Sequence, residues 1–455
     1  MKGQKDRVWT RKEVEEKADP DKQLLVIVHD RVYDCTRWQK HHPGGHLTLR
    51  SLCGKDATDA FMATHPAYVE KRLLSKFQCA TLADVGEPDE TTAAFRKLTA
   101  ELKEGGWFET DYTFYYKKVA VFALMFLGVV AGVVLSENVL VHACAGVLLG
   151  MFWQQVAFIG HDLGHNSITH DRETDSILGL FAGNFFTGIS IGWWKRAHNI
   201  HHIVPNSLEN DPDIQNLPIF AISTEFLTSP TFSTFYEHVL LLDRLAHLLV
   251  SQQHWLYYPV MAFARFNLYA QSLTHAMGTG VYDPSEKLWN RNLQVLFLLG
   301  FWSWLSFLVY LLPTWTSRVV FFMLAHNVAG ILHVQITLSH FSMPSYSGVT
   351  YDSPTTGYLQ TQLETTMDID CATWMDWFHG GLQFQVVHHL WPRVPRHKLR
   401  DLRTILIEFC KMHNLKYHEE TFFKANGIML SRLRQVAKTA KSFSEIFSEA
   451  INLSG

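Results

Sequence analysis

The sequence predicts a small α+β soluble domain followed by an all-α membrane domain, with four transmembrane helices in two hairpins beneath a histidine-rich cap. Three observations predict it. Four long apolar runs occupy the body of the chain, three histidine clusters lie at the edges of apolar segments, and a compact unit with a Pro-Gly-Gly turn precedes them. Composition agrees. Hydrophobic residues at 47% and charged ones at 18% are apolar for a soluble protein, yet mean hydropathy is only -0.02. A chain that is part membrane and part soluble reconciles the two values. At 455 residues it exceeds the usual length of one domain. A net charge of -3 gives no case for nucleic acid as a partner. The six cysteines are scattered without a Cys-x-x-Cys pair, which argues against disulfides and a thiolate zinc site and suits a reducing compartment. The polar start, Met1 to Arg7, predicts no cleavable signal peptide, so an internal segment directs insertion.

Residues 8–83 read as the soluble domain, with Leu24–Val28 a short buried strand between polar flanks. Residues 84–112 are polar, contain Gly86, Pro88, Gly105 and Gly106, and read as a linker with a short helix that lets the first domain swing. Residues 113–455 form the membrane domain. Its apolar runs are Val119–Leu135, Val139–Ile159, Leu293–Leu312 and Val319–Ser339, each near the roughly 20 residues that span a bilayer. The gaps Ser136–Asn138 and Pro313–Arg318 are short, so two hairpins put everything else on one side. Lys117, Lys118, Arg172, Lys195, Arg196 and Arg291 fall on that side, which makes it cytosolic. Ile177–Trp194 and Trp255–Tyr269 carry polar residues and are expected as interfacial or re-entrant helices. In the tail from Leu399, Leu402, Ile405, Leu406 and Phe409 recur at helical spacing, predicting amphipathic helices over the cap.

His42-Pro43-Gly44-Gly45 forms a tight turn, because proline fixes φ and glycine permits unusual φ. Such a turn holds an imidazole rigidly. With His65 it makes a pair of axial ligands for a haem iron, in a pocket of Val28, Leu47, Leu52, Phe61 and Tyr68. A haem ligated on both sides transfers electrons. The run from Trp9 to about Ala83, including His42–Gly45, Asp56–Phe61 and His65-Pro66, resembles a cytochrome b5 domain. Asp56, Asp59 and Glu70 either meet a basic reductase or form a solvated face.

His161 and His165 stand four residues apart and share one helix face. His198, His201 and His202 again point one way, and Gln385, His388 and His389 repeat that spacing. Seven histidines exceed what one ion uses, so two metal ions or a surplus of histidines are implied. Imidazole suits iron, zinc, copper and nickel. Iron is favoured because it combines imidazole ligation with oxygen activation, and the same chain carries an electron donor.

From about Tyr112 to Pro395 the chain resembles the membrane fatty acyl and sphingolipid desaturases, whose mark is three histidine boxes of these spacings. Gln385 in place of the first histidine of the third box, with an amino-terminal cytochrome b5 domain, resembles the front-end subgroup. The resemblance implies that His161, His165, His198, His201, His202, His388 and His389 ligate iron. It also implies a further ligand near the end of the fourth span, for which His340 is the best match, although Ile336 replaces the asparagine of that pattern. Gln385 either ligates through its amide oxygen or hydrogen-bonds a ligand. His326 and His333 read as core histidines, and His379 and His397 as substrate or supporting contacts. Asp211 and Asp213 serve as a turn or helix cap or have a functional role. Arg393 and Arg396 contact either a lipid head group or the membrane interface.

The implied reaction is oxygen-dependent dehydrogenation of a lipid chain by a di-iron site, with haem b returning electrons from NADH through a cytochrome b5 reductase. The implied location is the endoplasmic reticulum membrane, with both termini and the histidine clusters cytosolic. Trp193–His198, Asn206–Leu208, Asp211–Pro218 and Asp376–Gln385 resemble the sphingolipid Δ8 (long-chain base) desaturases. Val386-Val387 departs from the Ile-Glu common in both groups. The alternatives are a Δ6 or Δ5 front-end acyl desaturase, a membrane di-iron lipid hydroxylase, and a haem-linked metal transporter.

Overall fold

The computed structural model describes residues 7–278, 288–351 and 357–453; residues 1–6, most of the polar start, lie outside the described residues. The amino-terminal unit is built on a four-stranded sheet of β1 (Val8–Trp9), β2 (Leu25–Val28), β3 (Arg31–Asp34) and β4 (Gln78–Leu82), ordered β1-β4-β3-β2. β1 runs parallel to β4, and the other pairings are antiparallel. The expected strand at Leu24–Val28 is β2. Its alternate residues are buried on both faces: Leu25 and Ile27 pack with Val14 and Val32, while Val26 and Val28 pack with Leu47, Leu52 and Ala60. Short helices His46–Ser51, Thr58–Thr64 and Ala67–Arg72 cover the second face. Tyr68 departs from expectation. It is exposed, because Pro66 opens a new helix, Ala67–Arg72, none of whose residues is buried.

Residues 90–104 form one helix, capped by Asp89, whose side chain accepts from the Thr92 N–H. Phe95, Thr99 and Leu102 recur at helical spacing and are all buried. Phe95 stacks on Trp391 with ring centroids 5.4 Å apart, and the Trp391 indole donates to Thr99 Oγ1 at 3.1 Å. On its other side Arg96 donates twice to Asp59, at 2.7 and 3.1 Å. The helix is thus clamped between both parts of the chain. The slack tether expected here is not what the structure shows, because three apolar or hydroxyl side chains on one helix face require burial.

Four helices among the described residues are long and apolar enough to cross a membrane: Tyr112–Val134, Val139–Gly164, Asn290–Leu311 and Trp315–Phe341. The second and fourth pack backbone to backbone. A Cβ at Gly146 or Gly150 would meet the carbonyl of Phe321 or Ala325 at 2.6 Å, so small residues four apart permit this approach. The third leans on the segment Leu180–Thr187, whose Phe185 carbonyl accepts from the Trp304 indole at 2.9 Å. That segment belongs to a helix pair, Arg172–Thr187 and Ile191–Ile203, bent by 110°. The expectation of a re-entrant element at Ile177–Trp194 meets this bend. Trp255–Tyr269 lies within the helix Gln253–Met277. The tail forms Leu399–Met412, burying Leu402, Leu406 and Phe409, and then Phe422–Leu453.

Candidate metal centre

The two histidine systems are built differently. In the amino-terminal unit, Gly45 adopts φ 92°, so the chain turns sharply after Pro43 and presents His42 from a rigid loop. Gly44 is required by contact as well, since a Cβ there would lie 2.8 Å from the His42 ring. His42 Nδ1 donates to the Gly45 carbonyl at 3.0 Å, and His65 Nδ1 lies 3.2 Å from the Phe61 carbonyl. Those bonds fix the tautomer that carries its proton on Nδ1 and its lone pair on Nε2. The rings face each other with centroids 5.8 Å apart, and Phe61 stacks on His65. Burial, then the neighbouring His42, lowers His65 to about 3, which keeps it neutral. Two oriented imidazoles facing each other, with His65 held neutral, fit a haem iron.

The second system gathers four segments. His161 lies at the end of the helix Val139–Gly164, with His165 just beyond. Ile191–Ile203, capped by Ser190, carries His198, His201 and His202. His340 ends the fourth membrane helix. The short helix Gln385–Leu390 carries His388 and His389, and Gln385 is buried at its start. Its buried N-terminus is satisfied by Asp368, which accepts the Val386 N–H at 2.8 Å.

These segments bring the histidines into two groups, His161, His165, His198 and His388, and His201, His340 and His389, while His198 and His201 form a third with Asp213. Within each, the candidate ligand atoms lie within 4.8 Å of one another. His202 sits between them, its Nε2 3.0 Å from that of His198 and its ring stacked at 4.2 Å on His389. The buried His165 Nε2, His202 Nδ1, His340 Nδ1, His388 Nε2 and His389 Nε2 have no hydrogen-bond partner. Converging ring nitrogens without partners are what metal ions would satisfy. Burial, reinforced by neighbouring imidazoles, pushes His202, His388 and His389 well below the usual range, so they are held in the ligating neutral form. Burial acts on His201 in the same direction, but Asp211 and Asp213 outweigh it and lift it to about 9.

Side chains orient the second system. His201 Nδ1 lies 2.9 Å from Asp211, which also accepts the Asn206 N–H at 2.7 Å. His389 Nδ1 lies 2.9 Å from Gln362 Oε1, and Gln362 in turn donates to the His202 carbonyl at 2.9 Å. Asn206 donates to the His340 carbonyl at 3.0 Å, tying the fourth helix to the second cluster. Ile336, four residues before His340, is exposed. Asp211 was singled out by sequence with its role open. Gln362 was missed, and no local spacing could have found it, since it is distant in sequence from both histidines it touches. Asp162 was missed too: it accepts from Tyr115 at 2.8 Å and pairs with Arg396 at 3.0 Å.

The other candidates lie elsewhere. Arg396 is buried in that ion pair rather than facing a head group, and Arg393 is half-buried. His379 meets Gln335 at 3.2 Å, and His397 accepts the Asp111 N–H at 3.4 Å; neither joins the clusters. His326 bonds the Phe322 carbonyl at 2.8 Å as a core histidine, and His333 is buried outside both groups.

The two systems touch. Asn199, between His198 and His201, donates to the Gly44 carbonyl of the His42 turn at 3.3 Å.

Comparison with known proteins agrees with this geometry. Residues 137–421 match the fatty acid desaturase family, and residues 10–83 match the cytochrome b5-like heme/steroid binding domain. The chain belongs to the fatty acid desaturase family. It is an oxidoreductase, a desaturase carrying its own cytochrome b5 domain. That domain implies haem, and the family implies iron. The chain is 41% identical to a Delta(8)-fatty-acid desaturase of Helianthus annuus, over 95% of this chain and 92% of that protein. It is 40% identical to an acyl-lipid (9-3)-desaturase of Borago officinalis, over 93% and 92%. It is 32% identical to a Delta 8-(E)-sphingolipid desaturase of Emericella nidulans, over 97% and 96%.

Proposed function

We propose that this desaturase introduces a Δ8 double bond into a sphingoid long-chain base. The observation that carries the metal chemistry is the convergence of His161, His165, His198 and His388 beside His201, His340 and His389, with His202 between them. These eight histidines would hold two iron ions. Gln385, one turn ahead of His388 and His389, offers an amide that does not titrate. When bound, iron supplies the oxidising power that breaks an unactivated C–H bond, which no side-chain acid or base can do. The chain's own residues do the rest. Asp211 and Gln362 orient His201 and His389, and burial of the clusters excludes bulk water.

Dioxygen takes two hydrogens from the lipid, with two electrons and two protons, and leaves as two waters. His42 and His65 would hold a haem b, which would supply one-electron transfer, with NADH and a cytochrome b5 reductase as the source we propose. Asn199 on Gly44 sets the donor turn against the second histidine cluster, and the clamped helix Glu90–Glu104 keeps it there. This fusion gives the donor a high effective concentration. We place the chain in the endoplasmic reticulum membrane, with both termini and the clusters on the cytosolic side, where Lys117, Lys118 and Arg172 also lie.

The substrate reading rests on the Δ8 names of several relatives and on the stretches around Trp193 and Asp376. The acyl-lipid relative at 40% identity favours a second reading, a front-end Δ6 or Δ5 acyl desaturase. The test is lipid mass spectrometry with double-bond localisation, in a host that lacks both activities and is supplied with both substrate classes. A new Δ8 bond in the long-chain base, absent in His201→Ala, is the expected result. Unsaturation confined to acyl chains moves the assignment to the second reading, and a new hydroxyl without a double bond moves it to a hydroxylase.

A further inference from the structure

The turn that follows the second histidine cluster carries a carboxylate that turn geometry does not explain. Asp211 caps the turn Pro212–Ile214, and its Oδ1 accepts the Asp213 N–H at 2.9 Å. The Asp213 carbonyl accepts from the Asn216 side chain at 2.9 Å. The Asp213 backbone is thus held on both sides, yet its carboxylate joins no backbone hydrogen bond among the described residues. Instead its Oδ2 lies 3.8 Å from His198 Nδ1 and 3.7 Å from His201 Nδ1. His198 belongs to one histidine group and His201 to the other, and their rings stack with centroids 5.5 Å apart.

The two imidazoles differ in what they lack. His201 Nδ1 already lies 2.9 Å from Asp211. His198 Nδ1 has no partner at hydrogen-bond distance among the described residues. Its Nε2 lies 3.0 Å from His202 Nε2, near the spacing of two nitrogens that each stand roughly 2.1 Å from one ion. Ligation through Nε2 leaves the ring proton on Nδ1, and a largely buried N–H without an acceptor is costly. Trp194 stacks on His198 at 4.3 Å and fixes the plane of the ring. A stacked ring can still flip about its Cβ–Cγ bond, so a partner at Nδ1 decides which edge faces the cluster. Among the described residues, Asp213 is the carboxylate within ion-pairing distance of that nitrogen. The gap is about 1 Å longer than a hydrogen bond, and Asp213 has room to close it, since 44% of its side chain is exposed.

We propose that Asp213 is a positioning residue for His198, as Asp211 is for His201: it accepts the Nδ1 proton of His198 and so holds Nε2 towards the cluster. The inference rests on the reading that these histidines hold iron. One short turn then orients a ligand in each histidine group. Pro212, between the two carboxylates, fixes φ and keeps their offset constant. Loss of the Asp213 carboxylate therefore weakens the group that contains His198, while Asp211 still supports His201.

The test uses the full-length protein in detergent micelles and ferrous iron. Iron binding by the wild type is measured first. Its absence overturns the reading of the histidine clusters themselves, before Asp213 comes into question. Iron affinity is then compared by chelator competition for Asp213→Ala, Asp213→Asn, His198→Ala and the double variant Asp213→Ala/His198→Ala. Asp213→Ala should bind iron about tenfold to a hundredfold more weakly, with the thermal midpoint near that of the wild type. Asp213→Asn keeps an oxygen that accepts a proton and should lose less. In the His198→Ala background, Asp213→Ala should add little, because a residue that acts through His198 has nothing left to orient. Wild-type iron affinity in Asp213→Ala overturns the proposal. So do additive losses in the double variant, an Asp213→Asn as impaired as Asp213→Ala, and a large fall in thermal midpoint that accounts for the iron loss, since that pattern means a collapsed turn.

Discussion

The haem pocket and the histidine clusters, which we propose to hold metal, use the same side chain but orient it in different ways. In the haem pocket the orienting partners are local, the Gly45 carbonyl and Thr48 hydroxyl for His42 and the Phe61 carbonyl and Thr64 hydroxyl for His65, each close in sequence to its histidine. In the clusters they are side chains, Asp211 for His201 and Gln362 for His389, the latter from a separate helix. A local turn carries its own support, whereas ligands gathered from four segments need support that arrives from elsewhere in the fold. The haem ligands therefore resist change outside the residues 42–65 neighbourhood, and the clusters are exposed to substitutions far from any histidine.

The sharpest break of this comparison is to remove one ligand from each system. His389→Ala should lose bound iron and desaturation together, beyond the roughly hundredfold loss typical of an outer-shell change, while the haem spectrum is retained. His42→Ala should abolish the low-spin haem spectrum and leave iron content near wild type. Metal analysis and visible spectra on the same preparations check both; loss of both metals in either variant would mean that the sites fold as one unit.

Next in size is Gln362. Gln362→Leu keeps the bulk but leaves His389 Nδ1 unsupported and the His202 carbonyl without its donor. Iron affinity should fall about tenfold to a hundredfold, measured by chelator competition, with Gln362→Glu falling less because it still accepts from His389. An unchanged affinity in Gln362→Leu would remove the contrast between the two sites.

How much of this was legible in the sequence follows the same division. The haem motif, the three boxes and the four spans are local patterns, since turn chemistry, helical spacing and apolar length each act over a few to about twenty residues. His340 was reachable only through resemblance, and the structure sets it beside His201 and His389. Gln362, Asp162 and Arg396 depend on contacts between distant segments, which no period encodes. The linker was misjudged for a related reason. Gly86, Pro88, Gly105 and Gly106 signal breaks in structure, but the apolar face of Phe95, Thr99 and Leu102 between them needs Trp391 to explain it.

Arg396 provides a stability test of the same idea. Its guanidinium pairs with Asp162, which lies between the cluster residue His161 and the membrane helix partner Tyr115. Arg396→Leu leaves a buried carboxylate with one hydrogen bond, at a cost of about 3 kcal/mol. A lower thermal midpoint with His161 and haem spectroscopy otherwise intact is expected; a paired Asp162→Asn change should recover part of the loss.

The smallest effect concerns Asp368, which supports the third cluster from beneath. Burial raises its carboxyl to about 7, against the lowering effect of hydrogen bonds from Tyr417 and the Val386 N–H and of nearby Arg403. A folded value above the unfolded one means that the native state holds a proton that the unfolded chain has released. Stability from this group is complete below the unfolded carboxyl range, near pH 4, and is lost as pH rises towards 7. Asp368→Asn cannot titrate, so it removes that slope. The thermal midpoint of the wild type should fall relative to the variant between about pH 4 and 7, and the gap should stop changing above that window. A gap that stays constant across the window would show Asp368 ionised throughout, and the third cluster would then rest on a charged carboxylate rather than on a protonated one.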